Sequence, residues 1–250
     1  MSTTPRRPSA LPTDAAGFRT THWTLVLEAG QSDGDAARDA LASLCSRYWY
    51  PLYAFVRRQR RTPHEAEDLT QGFFAHLLEK ESLRRVRPEA GKFRSFLLAC
   101  LKNYMFNEHE RLQAQRRGGG QALLTLDGGE FETRYTLEPA DKLTPEAAYD
   151  RRWAWMAIEE ALSALKREYA TPEKQELFEQ LQAFLPGGRG SESRAELAAR
   201  RGVSVGAIDV AIHRLRQRFR ALLREAVAAT VASPEEVDDE IRYLIAAAAT

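Results

Sequence analysis

The sequence predicts an all-α protein: two helical domains joined by a flexible acidic linker, plus a short C-terminal helix. Three observations carry this. Apolar residues recur at helical spacing along most of the chain. Four helix starts share one grammar, a hydroxyl cap followed by proline and acid. No stretch alternates apolar and polar residues convincingly between hairpin turns; Leu123–Leu126 and Phe131–Leu137 are the only weak strand candidates.

Composition narrows the function classes. The 250 residues are 44% hydrophobic and 28% charged, which is enough apolar content for a proper core and excludes wholesale disorder. Mean hydropathy is −0.46, and without an apolar run of ~18 residues no membrane span is expected. Residues 1–17 carry two arginines but no signal-peptide core, so they are expected to be disordered and the chain to be cytoplasmic. Cys45 and Cys100 fit a reducing compartment better than a disulfide framework.

The net charge of +1 hides a pattern. It is +6 over residues 1–117, −5 over 118–190, +4 over 191–232 and −4 over 233–250. Two basic blocks, each ending in an arginine-rich helix, point to a polyanion, and the acidic segment between them should lie away from it.

The elements follow in order. A helical domain is expected over 18–117. Inside it Thr62-Pro63-His64-Glu65 opens a helix in which Leu69, Phe73 and Leu77 face the core. Glu67, Asp68 and Gln71 cluster on another face, as dipole complements or as a docking patch for a protein partner. The helix over 92–117 buries Phe93, Phe96, Leu97, Cys100, Leu101 and Tyr104, and Phe106 is expected in the core with Phe93 and Phe96. A different, polar face holds Asn103, Asn107, Glu110 and Arg111; asparagine and arginine can read base edges and phosphates.

Residues 118–143 have five glycines and no helical period, and read as the linker. The second domain, 144–230, holds the most specific local signal, RAELAARRGVSVGAIDVAIH at 194–213. Ala198 allows two helices to cross closely, Gly202 supplies a positive φ at the turn, and Ser204 caps the second helix. Leu197, Val203, Ile208 and Ala211 should pack the pair, and Ile208, Ile212, Leu215, Phe219 and Leu222 should form the apolar face of a long second helix. This is the helix-turn-helix pattern, whose second helix enters the DNA major groove. Residues 233–250 add one short acidic amphipathic helix. The five histidines and two cysteines form no metal-ligand or nucleophile motif, so no catalytic residue, metal ligand or cofactor is expected.

The order EAEDLTQGFFAHL, FRSFLLACLKNYMFNEHERLQAQRR, linker, ELAARRGVSVGAIDVAIHRLRQRFR resembles the extracytoplasmic-function (ECF) branch of the sigma-70 family of bacterial RNA polymerase sigma factors. The resemblance covers residues 20–230. It implies two helical domains, region 2 and region 4, and a non-catalytic subunit that binds core RNA polymerase (β and β′ subunits) and directs it to promoter DNA. By resemblance Glu65, Glu67, Asp68 and Gln71 match the segment docking on the β′ clamp helices. Asn103, Asn107, Arg111, Arg116 and Arg117 match the helix meeting the opened −10 element, and residues 82–91 a loop that helps capture a flipped base. Ser204, Asp209, Val210, His213, Arg214 and Arg216 fall in the helix matched to the −35 element; Asp209 and Ala211 stand where such factors often carry bases. The linker takes the place of a segment that threads toward the RNA exit path. An anti-sigma factor or a regulatory kinase is the further partner class. Two other functions fit parts of the chain: a freestanding helix-turn-helix transcriptional regulator, and a helical adaptor that holds a protein partner. For the tail, an autoinhibitory cover over the basic DNA-reading helix and a plain packing helix both remain open.

Overall fold

The computed structural model describes residues 22–23, 26, 35–77, 91–115, 129–136, 142–186, 188 and 192–249. Among them every regular element is helical. In chain order these are α1 (Asp35–Arg58), α2 (Pro63–Leu77), α3 (Phe93–Gln115), α4 (Gly129–Thr136), α5 (Pro145–Glu168), α6 (Pro172–Leu181), α7 (Arg194–Arg201), α8 (Val205–Ala228) and α9 (Val237–Ala248). Short 3₁₀ turns at Gln182–Phe184 and Pro234–Glu236 follow α6 and precede α9.

The proline starts behave as the sequence dictates. Glu65 accepts from the Thr62 amide at 2.8 Å and Thr62 Oγ1 accepts from the Glu65 amide at 3.3 Å, a reciprocal capping box. Thr144 Oγ1 accepts from the Ala147 amide, whereas Thr171 begins α6 without a side-chain cap. The Glu236 carboxylate accepts from the amides of Ala232 and Ser233. Between α1 and α2 the chain turns through Arg60, a non-glycine residue at φ 61°. α2 crosses α3 closely because residue 72 is glycine; a Cβ there would collide with the Tyr104 hydroxyl.

Two apolar clusters form the interior. The first joins α1, α2 and α3 through Tyr48, Leu52, Phe55, Phe73, Phe93, Leu97 and Leu101. Trp153 of α5 stacks on Tyr48 inside it, with ring centroids 4.4 Å apart and planes 4° apart. The second joins the rest of α5 (Ala161, Leu165) to α6, α7 and the face of α8 formed by Ile208, Ile212, Leu215, Phe219 and Leu222. The division between clusters therefore runs through α5. The C-terminal segment returns to the first cluster, to which Val227, Val231, Val237 and Leu244 belong.

Several expectations are corrected. Phe131, expected in a weak strand, lies in α4, so the stretch 118–143 contains a helix that its glycines obscure. α4 is held by contacts distant in sequence: Phe131 packs against Trp49, Tyr50 and Tyr53, and Glu132 accepts from Arg57 (2.8 and 2.7 Å) and from the Tyr53 hydroxyl (2.6 Å). Phe106 is 65% exposed instead of buried, because it falls off the stripe of Phe93, Leu97 and Leu101. Val203 is 45% exposed instead of packed, leaving the helix pair to pack through Leu197, Ala198 and Ile208, with Ala211 half-buried against them as expected. The other strand candidate, Leu123–Leu126, lies outside the described residues.

Candidate nucleic-acid and partner interface

Three surfaces hold the residues singled out above. On α2, Ala66, Thr70, Phe73, Phe74 and Leu77 are buried, which turns 65, 67, 68 and 71 outward. Glu65 is committed to the cap, and its hydrogen bond from the Thr62 amide keeps its carboxyl below the usual range. Asp68 pairs with His64 at 2.8 Å one turn back. Glu67 and Gln71 are half-buried beside it.

On α3, Asn103 and Asn107 are exposed one turn apart, next to exposed Phe106 and Leu112. Arg111 is exposed and donates to Glu108 at 2.8 Å. Lys102 leaves this face to pair with Glu146 of α5 at 2.7 Å. The α3 surface thus offers amides, a guanidinium and an unsupported aromatic ring in three turns, a set that can stack on unpaired bases and bond their edges. Arg116, Arg117 and residues 82–90 of the expected loop lie outside the described residues.

The third surface is α7–α8. Ser193 and Glu196 cap α7 reciprocally. Gly202 closes it in the left-handed region (φ 66°), and Ser204 Oγ accepts from the Ala207 amide to start α8. Each joint is local chemistry, which is why this motif is legible in a single sequence. Along α8 an open groove of about 600 Å³ is lined by Arg194, Asp209, Val210, His213, Arg214 and Arg220, among others. Val210 is half exposed, and His213 and Arg214 are exposed. Asp209 is tied to Arg194 at 3.1 Å. Arg216 is half-buried and spends its guanidinium on the Phe184 carbonyl, through Nε at 3.0 Å and Nη2 at 2.7 Å. Ser204 is engaged as the cap.

The structure brings each group together on its own helix, and all three surfaces are open to solvent. The tail covers none of these faces. Its acids meet other bases: Glu240 pairs with Arg94 (2.6 Å) and Lys92 (2.7 Å), and Asp238 with Arg224. Sequence reasoning missed this network. A signal was present, since Arg94 sits in the first turn of α3, where a helix disfavours a cation unless a carboxylate compensates it.

Both thiols are half-buried in helices, and burial pushes Cys45 and Cys100 up to about 11. No described helix is long and apolar enough to cross a membrane.

Against known families, residues 44–116 match the family model of Sigma-70 region 2. That segment runs from α1 to the end of α3 and contains both the α2 face and the α3 face. No curated protein and no solved structure matches the chain.

Proposed function

We propose that the chain is a sigma factor that binds core RNA polymerase and directs it to promoters for transcription initiation. The observation that carries this reading is the Sigma-70 region 2 match over residues 44–116. The α7–α8 helix-turn-helix, which lies outside that match, supports it independently by supplying a second DNA-reading surface. The order of parts resembles that of the ECF branch.

In this reading the α2 face, with Glu67, Asp68 and Gln71, docks on the β′ subunit, and Glu65 supports it by fixing the helix start. Asn103, Asn107 and Arg111 meet the −10 element after strand opening, joined by Arg116 and Arg117, and Phe106 offers a ring to an unpaired base. On α8, Val210, His213 and Arg214 face the −35 element, while Asp209 and Arg216 act through the groups they hold. The chemistry of RNA synthesis belongs to the polymerase; this chain supplies affinity and register.

The test is a core-polymerase pull-down with the full chain as bait, followed by run-off transcription on genomic fragments. Core-dependent transcripts with defined starts are expected. A freestanding regulator would bind its operator as tightly without core polymerase, and that result would overturn the proposal. Equal affinity for promoter and scrambled DNA with core present would favour an adaptor instead.

A further inference from the structure

A groove of about 540 Å³ opens between α1, α4 and α5. None of the described residues lining it belongs to the α2, α3 or α7–α8 surfaces. Its volume is in the range of small-molecule sites. Charge converges here against the local trend. Residues 118–190 carry a net charge of −5, yet Arg134, Arg152 and Arg167 of that stretch share the groove with Arg47 of α1. The four guanidinium groups outnumber the carboxylates among them, Glu159 and Glu160.

Two of the arginines are held in place by one ring. Tyr50 is 4% exposed; the Arg134 guanidinium lies 4.1 Å from its ring centroid and that of Arg152 5.5 Å. Both forks are thus ordered before any ligand arrives, which removes part of the entropy cost of binding. The carboxylates hold the other contacts loosely. Glu159 is 3.8 Å from Arg134, with both side chains more than half exposed, and Glu160 is 3.0 Å from Arg47, with both partly exposed. Pairs this exposed exchange partners at little cost. Arg167 is exposed and has no ion-pair partner among the described residues.

Trp155 lines the same groove and is 41% exposed, whereas Trp23 and Trp153 are buried and Trp49 half-buried. Its indole offers a face to a flat ring, and the guanidinium groups suit that ring's phosphates. From Arg152 to Glu160 α5 rises roughly 12 Å, a stretch that one nucleotide with its phosphates spans. We propose that the groove binds a nucleotide bearing two or more phosphates, with its base on Trp155 and its phosphates on Arg47, Arg134 and Arg152. Arg167 adds charge at the far end. Such a ligand is held from α1, α4 and α5 together, so it fastens α4 to the two long helices. It gives the chain a small-molecule input on a segment that lies, in sequence, between α3 and α8.

The experiment is titration of the full chain with ATP, GTP and inorganic triphosphate, followed by calorimetry and by tryptophan fluorescence. The two purine nucleotides are the probes because their large rings stack best. At least one is expected to bind at a single saturable site and to quench the emission of Trp155. Inorganic triphosphate should bind more weakly and leave the emission unchanged. Arg134→Gln should weaken nucleotide binding by about tenfold, the loss of one charged hydrogen-bonding group. Trp155→Leu should abolish the quenching and weaken binding as well. Both positions are exposed, and circular dichroism checks that the variants fold. Amide exchange in α4 should slow when nucleotide is bound. Four results would each overturn the proposal: no saturable binding of either nucleotide at millimolar concentration, binding undiminished in both variants, inorganic triphosphate binding as tightly as the nucleotides, or a short single-stranded RNA binding far more tightly and displacing them. None of these readouts needs polymerase or promoter, so this site and the promoter-reading function proposed above stand or fall separately.

Discussion

Glu240 accepts a hydrogen bond from Arg94 Nε at 2.6 Å across 146 residues of sequence, with only 1% of Glu240 left exposed. The pair ties the C-terminal helix to the first turn of α3 and satisfies a guanidinium that would otherwise oppose the helix dipole. Removing one partner of such a pair leaves an uncompensated buried charge, whereas replacing both with apolar groups does not. Glu240→Ala should therefore cost about 3 kcal/mol in urea unfolding, at the low end for buried pairs because Arg94 keeps Asp150. The double change Arg94→Met with Glu240→Met should recover at least part of that loss. A double variant less stable than the single would show that the pair holds the fold through something besides charge.

The α2 face is predicted to carry the polymerase contact. Individual exposed ion pairs are worth only ~0–1 kcal/mol, so a double reversal is the fair probe. Glu67→Lys with Asp68→Lys should abolish core-polymerase binding in a pull-down while circular dichroism retains the helix content. Glu65 is left alone, because its carboxylate caps α2 and its loss would confound docking with fraying. Undiminished binding by the folded double variant would move the contact elsewhere.

Under the proposed function, in which Asn103 meets unpaired bases, Asn103→Ala should slow open-complex formation at a duplex promoter more than at one already melted over the −10 element. Phe106→Ala should follow the same pattern, because base–aromatic stacking is worth about 1–3 kcal/mol per base. Permanganate footprinting on both templates measures the effect. Equal losses on the two templates would place these residues in duplex binding.

Local chemistry was legible in the sequence and long-range pairing was not. The cap at Thr62, the left-handed Gly202, the Ser204 cap and the apolar face of α8 each depend on residues within a turn or two of one another. Phe106 was misplaced because an aromatic residue near an apolar stripe looks like core, and only the pitch of the actual helix shows that it points away. α4 escaped notice because its stability comes from Arg57, Tyr53 and the aromatic rings of α1, 75 or more residues distant. Of the tail acids, Asp238 does pair with Arg224 of α8, the nearest basic helix in sequence, while the buried Glu240 reaches Arg94 on α3, 146 residues away.

His22 gives the fold an acid limit. It is 6% exposed, and burial first, then the Arg47 cation, lowers it from 6.5 to about 3. The neutral ring donates Nδ1–H to the Tyr48 oxygen at 2.5 Å and accepts from Arg47 at Nε2, at 3.4 Å. In the unfolded chain the same histidine binds its proton near pH 6.5, so between about pH 6.5 and 3 the unfolded state holds more protons. Stability is whole above that window and should fall with acidification through it by up to about 1.4 kcal/mol per pH unit. Urea midpoints from pH 8 to pH 4 measure the slope, and His22→Gln should flatten it. An unchanged slope would assign the acid sensitivity to carboxylates, whose losses come at lower pH.

Asp209 offers the sharpest discrimination on α8. It lies in a groove with His213, Arg214 and Arg220, yet its carboxylate is paired with Arg194 of α7 at 3.1 Å. Both partners are about half exposed, 51% for Arg194 and 48% for Asp209, so the pair is worth ~0–1 kcal/mol and DNA can compete for either member. Two roles follow, with different signatures. If Asp209 leaves Arg194 to accept from a cytosine amino group, replacing it shifts preference at one base pair by about 1–3 kcal/mol. If it only anchors Arg194, Asp209→Ala frees a cation toward phosphate, which raises affinity for all sequences and steepens the salt dependence by about one unit. Arg194→Ala separates the two further, since it leaves an unpaired carboxylate facing the duplex and should weaken every sequence alike. The geometry favours the anchoring role, because the Asp209 carboxylate accepts from Arg194 of α7. Selection from a randomised −35 library with wild type and Asp209→Ala is expected to return the same motif at higher affinity for the variant. A motif altered at a single position would show instead that Asp209 lets go of Arg194 and reads a base.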